Sequence, residues 1–201
     1  MAVAMHQAGG LGIFHRFMSL GRLHEETLVL ERSNEFMRGR DNVAVSVGVN
    51  DQVRIDWALQ YADTICIDVA HGHSSAVAEI TKYISGRSNK WGNRISIIAG
   101  NVATREGVRY LVEAGADVIK VGIGPGSLCS TRIVTGHGVP QLSAIDQCAE
   151  EADILTAELG RTIEIIADGG IRNSGDIAKA IAAGADYVML GSLLAASDEA
   201  P

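Results

Sequence analysis

Two ten-residue words constrain this chain more than anything else in it: Glu113-Ala-Gly-Ala-Asp-Val-Ile-Lys-Val-Gly122 and Ala182-Ala-Gly-Ala-Asp-Tyr-Val-Met-Leu-Gly191. Each reads as a helix end stopped by a glycine, a turn aspartate, a β-branched or apolar strand and a second glycine. The same order recurs less literally along the whole chain. Short apolar runs at 11–14, 43–49, 64–69, 94–100, 118–123, 162–167 and 187–190 read as seven strands. Between them lie helical patterns: 1–8, 23–37, one capped by Asn50 or Asp51, one from Ser74 or Ser75 to Ser85, one opened by Thr104 and stopped by Gly115, 142–159, and one from Asn173 or Ser174 to Gly184. Strict alternation of this kind implies βα units on a parallel sheet.

Two architectures use such units. A doubly wound sheet gathers its ligand residues at one switch point. Here polar or glycine residues end nearly every strand: His15, Asp68, Asn101, Gly124, Asp168 and Gly191. That distribution fits a (β/α)8 TIM barrel with its site on the C-terminal rim. Seven strands are one short of closure, so the first strand and last helix of a barrel are expected to lie outside these 201 residues, and the chain is expected to be an excerpt of a longer polypeptide. Residues 1–201 carry no linker, charge block or low-complexity tract, which predicts a single barrel domain.

Composition narrows the partners. A net charge of −7 argues against a nucleic-acid footprint, and no apolar run approaches a membrane span. Met1-Ala-Val-Ala-Met5 lacks the features of a signal peptide, so a soluble cytoplasmic protein is expected. The three cysteines form no CxxC pair and are expected to be free thiols. Cys66 lies in an apolar run and Cys148 on a helix among Ala and Glu, which leaves only Cys129 placed for chemistry.

Cys129 follows the buried strand and glycine hairpin Lys120-Val-Gly-Ile-Gly-Pro-Gly-Ser-Leu-Cys129. Gly122, Gly124 and Gly126 let the backbone approach a ligand closely, and a thiol on such a loop is a candidate nucleophile where neighbouring donors lower its pKa. Glycine-rich turns at Asp168-Gly-Gly-Ile171 and Gly191-Ser192 stand where barrels of this class bind phosphate. Asp168 repels an anion but can accept hydrogen bonds from two neighbouring hydroxyls, so a nucleotide fits better than a sugar phosphate. His71 and His73 lack an obvious third metal ligand and read as rim polarity or a cofactor contact.

Longer motifs then carry a family resemblance: Val121-Gly-Ile-Gly-Pro-Gly-Ser-Leu-Cys-Ser-Thr-Arg132, Gly138-Val-Pro-Gln141, Ile166-Ala-Asp-Gly-Gly-Ile-Arg172, Ser174-Gly-Asp-Ile-Ala-Lys179 and Met189-Leu-Gly-Ser-Leu-Leu194. In kind and order they resemble the IMP dehydrogenase/GMP reductase family of (β/α)8 purine-nucleotide oxidoreductases. The resemblance implies that Cys129 attacks C2 of the purine and that Thr131 handles the exchanging water or ammonia. It implies Ser127, Gly170, Gly191 and Ser192 on the 5′-phosphate, Asp168 on the ribose, and Asp68 and Asn101 on a nicotinamide cofactor, NADPH or NAD. The backbone carbonyls of Gly124, Gly126 and Cys129 match the family's potassium (K+) site, and a homotetramer is the implied assembly.

The family divides into a dehydrogenase, which oxidises IMP with NAD and hydrolyses the adduct to XMP, and a reductase, which releases ammonia from GMP with NADPH. The tight connection Arg38-Gly-Arg-Asp-Asn42 has no room for paired CBS modules. With Phe14-His-Arg-Phe17 and Ile67-Asp-Val-Ala-His-Gly-His-Ser74 it resembles one branch of the reductases. Arg132 to Gln141 and the tail from Ile166 to Ala185 resemble a bacterial dehydrogenase. The balance at this level favours GMP reductase, with IMP dehydrogenase as the alternative and an inactive nucleotide-binding relic as the third reading. The residues that separate the two activities in the family are expected beyond Pro201.

Overall fold

A computed structural model describes residues 1–32 and 43–200. Its elements run α1 (Ala2–Gln7), β1 (Ile13–Phe14), α2 (Leu20–Arg32), β2 (Ala44–Val47), α3 (Gln52–Tyr61), β3 (Thr64–Ile67), α4 (Ser75–Ile84), β4 (Ser96–Val102), α5 (Arg105–Glu113), β5 (Val118–Val121), α6 (Thr131–Thr135), α7 (Gln141–Leu159), β6 (Glu164–Asp168), α8 (Ser174–Ala182) and β7 (Tyr187–Met189). The seven strands form one sheet in sequence order, every neighbouring pair parallel. This is a curled, partial (β/α)8 barrel, as the alternation predicts. The helix expected over 23–37 begins earlier, at Leu20, and its last residues, like the connection 38–42, lie outside the described residues. Among the described residues, no helix is long and apolar enough to cross a membrane.

Local sequence sets the helix ends. Asp51, Thr104 and Asn173 each accept a hydrogen bond from a backbone N–H of the first turn, which satisfies donors that the helix leaves free. The repeated Ala-Gly-Ala-Asp word has a tertiary meaning that its local reading as a turn does not contain. Gly115 and Gly184 take the left-handed conformation, with φ of 107° and 99°. The aspartate that follows then reaches sideways. Asp117 accepts from Ile97 N–H at 2.9 Å and Asp186 from Ile165 N–H at 2.7 Å, and Asp63 does the same for Val43 at 3.3 Å. Each aspartate ties the entry of its own strand to the start of the preceding one along the N-terminal rim.

The sheet divides the core into two layers. On its outer face Val45, Val47, Ile65, Ile67, Ile97, Ile119, Val121 and Ile165 are almost wholly buried against the helices, through residues such as Ile55, Leu111, Ile145 and Leu155. Each such side chain contributes about 1.5–3 kcal/mol of burial energy. Inside the curl Cys66, Ile98 and Ile166, with Ile13, Val118 and Met189 against them, form a smaller apolar plug. Burial pushes the Cys66 thiol up to about 11 and the Cys148 thiol up to about 12, so both are inert packing residues, as expected of them.

Candidate active site

Directly above the apolar plug, the next inward-facing positions of β5 and β6 are Lys120 and Asp168. Lys120 is only 4% exposed, and its Nζ lies 2.9 Å from Asp168 Oδ2 and 3.7 Å from Asp68 Oδ1. Arg16 approaches the other oxygen of Asp68 at 3.7 Å. Four charges thus alternate in sign across the mouth of the curl. Burial acts to lower the Lys120 pKa, but the Asp168 and Asp68 carboxylates outweigh it and hold the ammonium above its ordinary value. Sequence reasoning gave Lys120 and Arg16 no role. A lysine in the middle of an apolar strand was itself the signal, because a buried lysine is nearly always paired.

Asn101 reaches this cluster through a break in register. The pairing of β4 with β5 shifts between Gly100 and Val102, and the extra residue turns the asparagine inward. Its Nδ2 donates to Asp168 Oδ2 at 2.8 Å and to Gly122 O at 2.7 Å, while its buried Oδ1 has no partner among the described residues. Asp168 therefore accepts two donors on Oδ2, and its Oδ1 has no protein donor among the described residues. The residue the resemblance assigns to the cofactor and the one it assigns to ribose are joined by a single hydrogen bond.

Glycine sets how closely β5 and β6 approach. Gly122 has φ of 141°, and a Cβ there would meet the Asp168 carbonyl oxygen and lie 2.9 Å from Gln141 Nε2. Gln141 donates from that nitrogen to Val121 O at 2.9 Å and to Asp168 O at 3.3 Å. Gly122→Ala is expected to lose roughly 3 kcal/mol through strain and overpacking, seen as a lower urea midpoint at unchanged m-value. A midpoint equal to wild type would mean that the strands are not held this tightly.

Cys129 stands on the exposed loop above. Its N–H donates to Gly126 O at 3.0 Å, and its thiol lies 3.2 Å from Thr131 Oγ1. The Thr131 hydroxyl and backbone N–H, with the Arg132 guanidinium nearby, hold the thiol below its ordinary pKa. The hydroxyl can rotate to donate once the sulfur is ionised. Thr131 starts the short helix α6, which Gly136, left-handed at φ of 68°, stops.

The two turns share a wall. A Cβ on Gly169 would lie 2.8 Å from both Gly126 N and Pro125 Cγ, so the Asp168-Gly-Gly turn packs directly on the cysteine loop. Together Arg16, Asp68, Asn101, Lys120, Gly124, Gly126, Cys129, Thr131 and Asp168 line one open cleft of about 260 Å³. Ser127, Gly170, Gly191 and Ser192 are all exposed and stand outside that lining. A Cβ on Gly170 would lie 3.5 Å from Pro125 Cβ, and Gly191 and Ser192 form the turn after β7. His73 packs on Tyr110 with ring centroids 4.8 Å apart, and His71 is exposed beside it.

A family model for the IMP dehydrogenase / GMP reductase domain matches residues 1–201. The inosine-5′-monophosphate dehydrogenase of Chlorobaculum tepidum is 53% identical over 165 residues, 82% of this chain and 31% of the relative. The GMP reductase of Leishmania donovani is 47% identical over 167 residues, 82% of this chain and 32% of the relative. The inosine-5′-monophosphate dehydrogenase of Cryptosporidium parvum aligns with 100% of this chain at 40% identity over 239 residues, which is 57% of its own length. The chain thus spans from about a third to somewhat more than half of these relatives.

Proposed function

The chain belongs to the IMP dehydrogenase/GMP reductase domain family, and from that premise we propose that it carries the purine-nucleotide site of an oxidoreductase acting at C2 of the base through Cys129. The observation that carries this reading is the shared cleft: an exposed thiol with a lowered pKa stands across from a carboxylate whose Oδ1 is open to hydroxyl donors. The Cys129 thiolate adds to C2 and forms a C–S bond as the C2–N3 double bond opens; loss of hydride (IMP) or ammonia (GMP) from C2 restores that double bond, and addition of water or hydride, respectively, at C2 then expels the thiolate. Thr131, whose hydroxyl already meets the sulfur, is placed to steer the water or ammonia that exchanges at the same carbon. Asp168 takes the ribose hydroxyls, with Lys120 and Asn101 fixing its carboxylate. Ser127, Gly170, Gly191 and Ser192 hold the 5′-phosphate from the exposed turns around the cleft.

A nicotinamide dinucleotide, when bound, supplies or removes the hydride at C2. The residues fit such a group, since the buried Asn101 Oδ1, without a partner among the described residues, can accept from it and the Asp68 side chain, 38% exposed, lines the cleft. The carbonyls of Gly124, Gly126 and Cys129 are oxygen donors of the kind a potassium ion takes, and Gly126 O still has a lone pair beyond its bond from Cys129 N–H.

On direction we favour the dehydrogenase, a reading supported by the inosine-5′-monophosphate dehydrogenases among the relatives. The short connection at 38–42 loses its weight. The Cryptosporidium parvum dehydrogenase aligns across it in 239 residues, and the excess over the 201 residues of this chain is too small for a pair of folded modules. The reductase remains the second reading, supported by Phe14-His-Arg-Phe17 and by the 47% identity to the Leishmania donovani enzyme. Titration with IMP and NAD, then with GMP and NADPH, while following the nicotinamide absorbance band separates them. IMP-dependent gain of NADH is the expected result, and GMP-dependent loss of NADPH supports the reductase. Nucleotide binding without either change would leave only a relic of the site.

A further inference from the structure

We propose that Arg132 is a positioning residue for Cys129, a brace that joins the two ends of the cysteine loop and so holds the thiol over the cleft. The proposal deepens the reading of Cys129 as nucleophile and rests on it. The loop leaves β5 at Gly122 and returns to α7 at Gln141, and Arg132 rises from α6 inside it. Its Nε donates to Ile123 O at 3.0 Å, just after the loop begins, and its Nη2 donates to Val139 O at 2.6 Å, just before it ends. A planar guanidinium can span two carbonyls in this way; the point charge of a lysine cannot.

Two glycines are shaped to this side chain. A Cβ at Gly124 would lie 2.7 Å from Arg132 Cγ, and one at Gly138 would lie 2.7 Å from Nε and 2.8 Å from Cγ. Gly124 needs glycine anyway for its φ of 79°, but Gly138 is not left-handed, so only the arginine stem against it accounts for the missing side chain. The other charges around the thiol are already matched: Arg16 and Lys120 with Asp68 and Asp168 in the cleft. His137, on the loop, has its Nδ1 against Thr135 O at 2.7 Å. Arg132 makes no ion pair among the described residues, and its side chain lies outside the cleft lining, tied to the two ends of the loop that carries the thiol.

Alkylation of the folded full chain by iodoacetamide, followed in time at neutral pH and mapped by peptide mass spectrometry, tests the brace, because Cys66 and Cys148 are buried and do not compete. Arg132→Met and Arg132→Lys are both expected to slow labelling of Cys129 at neutral pH by about fivefold or more. Gly138→Ala keeps the arginine but displaces its stem, and is expected to slow labelling by about twofold. Wild-type labelling rates in Arg132→Met would overturn the proposal. So would full rescue by Arg132→Lys, which would reduce the arginine to a charge. If alkylated wild-type protein keeps its turnover, the nucleophile reading fails, and the labelling rates still decide the brace on their own.

Discussion

Cys129→Ala is expected to remove turnover by roughly a thousandfold or more while leaving nucleotide affinity within a fewfold of wild type. The split follows from the geometry. The groups proposed for the ribose and the cofactor sit on other elements, with Asp168 at the end of β6 and Asn101 on the bulge of β4, and both keep their partners when the sulfur is removed. The side chain is exposed and its contact is with Thr131, so no packing is lost and the unfolding midpoint should not move. Steady-state kinetics with IMP and NAD, beside nucleotide binding by calorimetry, measure the two quantities. Turnover within tenfold of wild type would take Cys129 out of the mechanism.

Lys120→Met should have a large effect on stability. Methionine matches the lysine stem in volume, so the change removes the charge and leaves Asp168 facing Asp68 across a partly buried gap. Breaking one side of a buried pair costs about 3–5 kcal/mol. The low end applies here, since the Asp168 and Asp68 side chains retain 23% and 38% exposure. Urea unfolding near pH 7 measures the deficit. The pH dependence carries a distinct sign. Because the folded-state pKa of Lys120 is raised, its contribution is fully present below the unfolded value of about 10.4 and is lost as the pH climbs through the folded value. The gap between wild type and variant should therefore narrow in strongly alkaline buffer. A double variant, Lys120→Met with Asp168→Asn, should recover part of the loss, because the stranded carboxylate is gone. A gap independent of pH would trace the deficit to packing instead.

The two variants also separate what the site owes to each level of structure. Cys129 was legible because a thiol after three glycines at the end of an apolar strand is unusual in itself. Asp168 was legible because Asp-Gly-Gly follows a strand at a rim position. Lys120, Arg16 and Arg132 were not legible as a set. Lys120 meets a partner 48 positions away in the chain, and Arg132 is tied to carbonyls on both sides of its own loop. Helix α6 escaped notice because five residues are too few for periodicity to register.

Short-range chemistry in the residues themselves decided the elements of this protein: β-branched runs made strands, Asp51, Thr104 and Asn173 opened helices, and Gly115 and Gly184 closed them. Parallel pairing in chain order followed from the same alternation. Which charge meets which, and that Asn101 turns inward, were decided only when the strands came together. A one-residue shift between Gly100 and Val102 sets which side chains face the cleft. The closeness of β5 to β6 at Gly122 places Asp168 beneath the cysteine loop. Register and interstrand distance are properties of packed neighbours, and no window of sequence contains both partners.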